Sequence, residues 1–378
     1  MQNITIYYGP KKGFNKILQF DTQGITLTNL AILSDKKMRE HSFKMLNRKN
    51  SDNEDKLEDI TRIKIPNLIA YSDEYAALSE NAIHGFLSFI SQFEIESIFL
   101  QNPPAYIVSQ FNKLGLNINT FQYVYNSVTN NTIKAIDKEY TSLIIGQDSV
   151  KKKLMSALYP LCNVNNQAPI VMLFYGPTGV GKTETAKFLS KLLNQKLFRK
   201  QFSMFNSDEF TSYLFGGKHS QNSLSKELLE RESNIILFDE FDKTYPVFHS
   251  AFYQLFDEGI YEDKNYFVTL NKSIIICTTN YDSLDEIKSK LDAPMYSRFN
   301  AIIKFNKLDQ NSVNIIIEKE YYEQFEKLNQ WEKEVLTNAN ILEKILSEEV
   351  NSIENAREIH NFIRDKISYV LVDYIINN

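Results

Sequence analysis

The residues richest in chemical content lie at 176–183, where the chain reads Gly-Pro-Thr-Gly-Val-Gly-Lys-Thr. The spacing GxxxxGK[ST] suits a cradle for a polyphosphate. Gly176, Gly179 and Gly181 free the backbone to turn N–H groups inward and approach phosphate oxygens. Pro177, Thr178 and Val180 complete the loop, and a helix starting at Lys182, Thr183 and Glu184 adds its positive N-terminal end. Lys182 is expected to reach the β- and γ-phosphates, and Thr183 to offer a hydroxyl to Mg²⁺. The expected cofactors are ATP and Mg²⁺. A second cluster, Asp239–Glu240, closes the apolar run Ile-Ile-Leu-Phe. Behind a phosphate loop, Asp239 at that place holds the metal through its water shell. The adjacent Glu240 can orient and polarise an attacking water. Both acids together point to hydrolysis in addition to binding.

Such groups need strands that end along one edge. PIVMLFYG (169–176), SNIILFDE (233–240) and KSIIICTTN (272–280) are apolar runs that each end in polar residues. That is the pattern of a buried parallel sheet with helices on both faces, whose ligands sit beyond the strands' carboxyl ends. The α/β pattern spans 136–305, and 306–378 contains neither Gly nor Pro and reads as a small helical domain. Residues 1–135 read as a separate mixed α/β domain. There ITIYY (4–8) and KILQF (16–20) are expected strands around a GPKKG hairpin turn, and 24–33 a further strand. A polar loop is expected at 47–59, a helix at 73–92, a strand at 95–100 and a broken helix at 105–135. GPKKGF has two glycines but no GK[ST], so it reads as a turn.

Bulk composition narrows the field. Glycine occurs 12 times, against roughly 26 at average usage for this length. Low-complexity readings are thereby excluded, and the cluster at 176–181 stands out. The net charge is −5 with both signs mixed along the chain, which argues against nucleic acid as a partner. The two cysteines, Cys162 and Cys277, lie far apart in apolar surroundings and indicate a reducing, cytoplasmic setting. There is no CxxC or HExxH, no 18-residue apolar stretch and no apolar leader at the N-terminus, so no transition-metal site and no membrane span are expected.

LFYGPTGVGKTETAKFLS and FDEFDKTYPVFHSAFYQLFDEGIYED together resemble the AAA+ module of the Clp unfoldase family, down to the pair Asp242–Lys243 and the FDEG turn. IIGQDSVKKKL (144–154) is similar to the family's opening segment, where Ile145 would pack near adenine. The resemblance runs from about 140 to 378 and weakens past 305. It implies an AAA+ fold with a C-terminal helical lid and a nucleotide-dependent homo-hexamer that remodels proteins. It implies that Asn280 is sensor 1, aligning water against the γ-phosphate. Arg298 in APMYSRFNAIIKF would be the arginine finger reaching a neighbouring subunit, and Arg357 in ENAREIHNFI would be sensor 2 on the lid. Asn355 stands where the family has Gly.

Two departures qualify the resemblance. The family's GYVG-type pore loop is replaced by the shorter YLFGGKHSQNSLSKELLERE (213–232), in which Phe215 and His219 are the candidate substitutes. No IGF/IGL tripeptide is present in the AAA+ region, so docking of the Clp peptidase is not expected. The leading expectation is a Clp-like ATPase acting on a protein substrate or adaptor chosen by residues 1–135. The alternatives are a nucleotide-dependent assembly switch that threads nothing, and a DNA-directed motor.

Overall fold

The computed structural model describes residues 3–18, 23–48, 62–204, 207–244, 246–347 and 355–377. Its strands are β1 (Asn3–Tyr8), β2 (Ile25–Thr26), β3 (Ile63–Ala70), β4 (Phe93–Gln101), β5 (Ile118–Gln122), β6 (Ile170–Tyr175), β7 (Phe198–Gln201), β8 (Ile235–Asp239), β9 (Ile260–Glu262), β10 (Phe267–Thr269), β11 (Ile274–Thr278) and β12 (Ala301–Lys304). The chain divides into two compact units. One comprises Met1–Tyr125, Phe205–Glu232 and Ile260–Leu270. The other comprises Asn126–Met204, Ser233–Gly259 and Asn271–Asn378. The chain therefore passes between them five times, and two stretches of the ATPase-like sequence fold with the N-terminal residues.

The first unit is built on a parallel sheet of order β2-β3-β4-β1-β5. Ile4, Ile6, Ile65, Leu68, Ile98 and Leu100 meet Leu27, Leu30, Phe86, Ile107 and Phe111 from the helices in one core. The hairpin expected around GPKKG is absent. Pro10 opens a helix, Lys11–Ile17, which places Phe14 and Leu18 four residues apart on one face against Tyr7 and Ile69. That burial overrides the strand-like local run, and residues 19 and 20 lie outside the described residues. Likewise only Ile25–Thr26 of 24–33 is strand. Leu27 and Leu30 then start the helix Leu27–Arg48 and bury its inner face. The helix expected over 73–92 is split at the extended Leu78–Ser79 and again at Gly85 into short pieces, Glu74–Ala77, Glu80–His84 and Phe86–Ile90. The loop expected at 47–59 falls mostly outside the described residues, apart from the end of that long helix.

The second unit holds a parallel sheet of order β12-β6-β11-β8-β7. The central strands β6, β8 and β11 are buried at every position, which requires cover on both faces. Met172, Phe174, Leu237 and Ile276 pack with Ile136 and Tyr140 of the helix Asn130–Leu143 and with Ala186 and Leu189 of the helix Lys182–Leu192. On the opposite face Phe238 packs with Phe202 and Phe252, and Phe252 packs in turn with Phe241 and Phe256. Among the described residues four helices follow, Gln310–Phe325, Gln330–Asn338, Ile341–Ser347 and Ala356–Asn377. They close around Val313, Ile317, Leu336, Ile345, Ile359 and Ile363. Asp309 and Asn329 cap the first two through their side chains.

Candidate functional site

The loop 176–181 leaves the carboxyl end of β6 and enters the helix Lys182–Leu192. Its three glycines take φ of 130°, 73° and 106°, values that strain any residue with a Cβ. A Cβ on Gly176 would lie 2.2 Å from the Phe305 carbonyl oxygen, so the loop is closed to side chains there. Val180 is buried, Pro177 and Thr183 are half-buried, and Thr178 and Glu184 are exposed. Glu184 pairs with Lys187 at 2.7 Å on the helix surface. Lys182 folds back over the loop. Its Nζ donates to the Gly176 carbonyl at 2.5 Å, the Pro177 carbonyl at 2.7 Å and Asn280 Oδ1 at 3.1 Å. Burial pushes its ammonium down to about 8, although Asp239, Asp242 and Asp282 pull the other way.

Asp239 and Glu240 follow at the end of β8. Thr278 Oγ1 donates to Asp239 Oδ1 at 2.5 Å, while Arg199 donates to Oδ2 from Nε at 3.0 Å and from Nη2 at 2.5 Å. Glu240 sits in the left-handed region, at φ 56°. A non-glycine residue there costs free energy that its neighbours must offset. Two hydrogen bonds supply support: its amide donates to Thr278 Oγ1 at 3.0 Å, and Gln201 Nε2 donates to its Oε2 at 3.1 Å. Asp242 Oδ1, two residues on from Glu240, and Thr279 Oγ1, next to Thr278, are buried with no hydrogen-bond partner among the described residues.

The site thus gathers Lys182, Asp239, Glu240 and Asn280 beyond the carboxyl ends of three adjacent strands. Arg199 and Gln201 complete it from β7, and the sequence reading passed over both. The signal available was their spacing: two apart on a strand, they share one face, and β7 pairs Gln201 with Asp239. The donor set fits nucleotide and Mg²⁺. The loop presents backbone N–H groups beside a lysine, and the Thr183 hydroxyl, the Asp239 carboxylate and the partnerless Asp242 oxygen are oxygen ligands suited to a hard cation.

Arg298 is not part of this cluster. Its Nε donates to Asp257 Oδ2 at 2.9 Å and its Nη1 to the Pro294 carbonyl at 2.7 Å, while its guanidinium lies 4.2 Å over the Tyr253 ring. Arg357 is exposed on the first turn of the last helix, near enough for its charge to act on Lys182. Beside it the Ala356 amide donates to the Gly179 carbonyl at 3.0 Å, and Asn355 both packs on Gly179 and caps the helix by accepting from the Glu358 amide. Ile145 is half-buried. Its neighbour Ile144 is the residue packed against Gly181.

The two pore candidates part company. Phe215, at the end of the helix Ser207–Phe215, is exposed. His219 is buried. Its Nδ1 meets Glu80 Oε1 at 2.7 Å, and its Nε2 meets the carbonyls of Leu78 at 2.9 Å and Tyr75 at 3.1 Å. A ring held in this way within the first unit is not available to grip a passing chain.

Residues 167–336 match the family model described as "AAA domain (Cdc48 subfamily)". The chaperone protein ClpB of Malacoplasma penetrans (strain HF-2) is 25% identical over 325 residues, 80% of this chain and 44% of that protein. The ATP-dependent Clp protease ATP-binding subunit ClpL of Staphylococcus aureus (strain bovine RF122 / ET3-1) is 30% identical over 215 residues, 49% of this chain and 30% of that protein. A solved S. cerevisiae Hsp104–ADP complex aligns with a TM-score of 0.49 and 21% identity, covering 66% of this chain and 49% of that one. The chain spans less than half the length of these curated relatives. The loop and the acid pair lie inside the residues that match the AAA domain model, and the relatives to which the chain is similar are Clp-family ATPases.

Proposed function

We propose that this chain hydrolyses ATP at sites shared between like subunits and uses the turnover to remodel a protein partner. The observation that carries this reading is the convergence of Lys182 and Asn280 with Asp239 and Glu240 at one sheet edge. In the proposed mechanism the loop amides and Lys182 hold the β- and γ-phosphates, releasing the carbonyls of Gly176 and Pro177. Thr183 and Asp239 would hold Mg²⁺, which would supply positive charge to offset that of the phosphate oxygens. Glu240, positioned by Gln201, takes the proton of the attacking water, and Asn280 aligns that water. Arg298, which lies outside its own chain's cluster, is proposed as a finger that would leave Asp257 to reach a neighbour's γ-phosphate. Arg357 acts from the helical region 306–378, proposed as the lid, and Ile145 lies toward the base.

The assembly is proposed as a homo-hexamer, with residues 1–135 presenting the surface for a protein substrate or adaptor. No described helix is long and apolar enough to cross a membrane. The described cysteines are both free, which supports the cytoplasmic reading. A second reading, an assembly switch that threads nothing, is favoured by one observation: His219, in the segment expected to face a pore, is enclosed against Glu80. A pull-down with Glu240→Gln in ATP separates the two. A trapped foreign polypeptide supports remodelling, self-assembly alone supports the switch, and failure to retain ATP removes both. Recovery of DNA instead would favour the motor that the charge balance argues against.

A further inference from the structure

The first unit contains a cavity of about 170 Å³ just past the carboxyl ends of β1 and β5. Tyr8, Gly9, Tyr123 and Tyr125 line it from the N-terminal residues, and Arg231 and Thr269 from the two later segments. Parallel sheets bind ligands at this edge, commonly in the crevice where successive connections run in opposite directions. Here that crevice, between β1 and β4, is filled. Asn102 accepts from the Gly9 amide at 2.8 Å and donates to the Gly9 carbonyl at 3.0 Å, and Gln101 donates to the same carbonyl at 3.0 Å. The open volume is displaced one strand over, beneath the tyrosines.

Arg231 sets its chemistry. The side chain is deeply buried, with a residue exposure of 6%. Nη1 donates to the Leu228 carbonyl at 2.6 Å and Nη2 to the Thr269 carbonyl at 3.3 Å. The guanidinium lies 4.5 Å over the Tyr125 ring, whose hydroxyl donates to the Arg231 carbonyl. Nε has no partner among the described residues, and no described carboxylate pairs with the group. The adjacent Glu232 is engaged by Lys12 at 2.5 Å. A buried guanidinium with five N–H donors, two of them used, and no counter-charge is costly unless an anion completes it.

We propose that this cavity binds a monoanion, a carboxylate carried on a compact planar or apolar body. One uncompensated cation matches one negative charge, and a dianion would leave a buried excess. The volume is close to that of an engineered cavity of about 150 Å³ that admits benzene, and the tyrosine faces suit a flat group. The same chemistry is offered by a free aromatic acid and by the last residue of a peptide. The outer edge of β5 carries no strand among the described residues, so an extended peptide end could lie along it.

The test is a ¹⁹F NMR titration of the full chain with 4-fluorobenzoate and with its neutral isostere 4-fluorobenzamide. A dissociation constant on the order of 1 mM is expected for the acid, with the amide at least about tenfold weaker. Arg231→Met should abolish the difference. If that variant fails to fold, Tyr123→Leu, on a half-exposed wall, should weaken the acid severalfold, and the comparison of acid with amide in the unaltered chain still decides. Equal broadening by acid and amide, no broadening by either, or acid binding that survives Arg231→Met in a folded chain overturns the proposal. Displacement of the fluorobenzoate by a short peptide ending in a free Phe carboxylate, and not by its amidated form, identifies a peptide end as the source. No displacement by either identifies a free small acid.

Discussion

Both sheets begin with a strand, a glycine–proline step and a helix, and only one of the two loops has the form proposed to hold phosphate. After β6 six residues, 176–181, separate strand from helix, with three glycines in left-handed conformations. After β1 only Gly9 and Pro10 intervene before the helix Lys11–Ile17. Gly9 also has positive φ, but its N–H is spent on Asn102. Gly13 lies inside the helix, where the Tyr7 hydroxyl occupies the space a Cβ would need. Lys12 turns outward to Glu232. Glycine and lysine are present in both loops. What differs is loop length and whether the amides are left free, and these decide whether the loop itself can cradle a polyphosphate.

The largest effect that would break this comparison is at Lys182. Lys182→Ala should lower ATP turnover at least about 10²-fold, whereas Lys11→Ala and Lys12→Ala together should leave it unchanged in a coupled ATPase assay. Turnover that survives the first change, or falls equally with the second, erases the distinction. Next comes Glu240→Gln, which keeps the site's shape and removes the proposed base. A fall of about 10²–10³ in turnover is expected, with nucleotide still bound. Retained turnover would move the base elsewhere, and Asp242, with its partnerless oxygen, would be the first alternative.

The three central strands of the second sheet were legible because they are buried on both faces and so read as uninterrupted apolar runs. Its chemistry sits at the ends of those runs, where polar residues have a reason to appear. The first sheet was legible only in part: the strands expected at 4–8 and 95–100 are β1 and β4, β2 is only two residues of the strand expected over 24–33, and β3 and β5 were missed. β3 is interrupted by Pro66, β5 is largely exposed, and β2 has two residues, so none shows a clear period. The helix at Lys11 is fixed by contacts of Phe14 and Leu18 with distant residues, which local pattern cannot reveal. The same limit hid Arg199 and Gln201. The run Phe-Arg-Lys-Gln is unremarkable until β7 is laid beside β8. It also hid the fate of 205–232, whose partner surface lies well over a hundred residues earlier.

A smaller effect sharpens the first sheet's side of the comparison. Asn102 is fully buried in the left-handed region and closes the crevice that an open loop would leave. Asn102→Ala strips the Gly9 amide of its acceptor and puts a Cβ residue without a stabilising side chain at positive φ. A loss of about 2–3 kcal/mol is expected in chemical denaturation, with ATP affinity unchanged. Asn102→Gly should recover part of it, because glycine relieves the backbone but not the lost hydrogen bonds.

The finest distinction is protonic. Burial holds the Lys182 ammonium at about 8 in the nucleotide-free chain, against 10.5 for the ordinary group. The folded pKa is therefore depressed. Below pH 8 folded and unfolded chains both carry the proton, and the cost of burying it is fully present. Between pH 8 and 10.5 the folded chain sheds the proton first, so the nucleotide-free fold gains stability as pH rises. Phosphate binding works against this gain, because it needs the charged form and raises its pKa again. ATP affinity should then fall above pH 8, by at most about tenfold per pH unit, with a fraction of a proton taken up on binding. Calorimetric binding enthalpies at pH 8.5, compared in two buffers of different ionisation heat, measure that uptake. Lys182→Arg, which stays charged throughout, should lose it. Lys11 and Lys12 have no place in an anion cradle, so replacing them should leave the uptake unaltered. Uptake that vanished with Lys12 would mean that the short loop after β1 also meets phosphate.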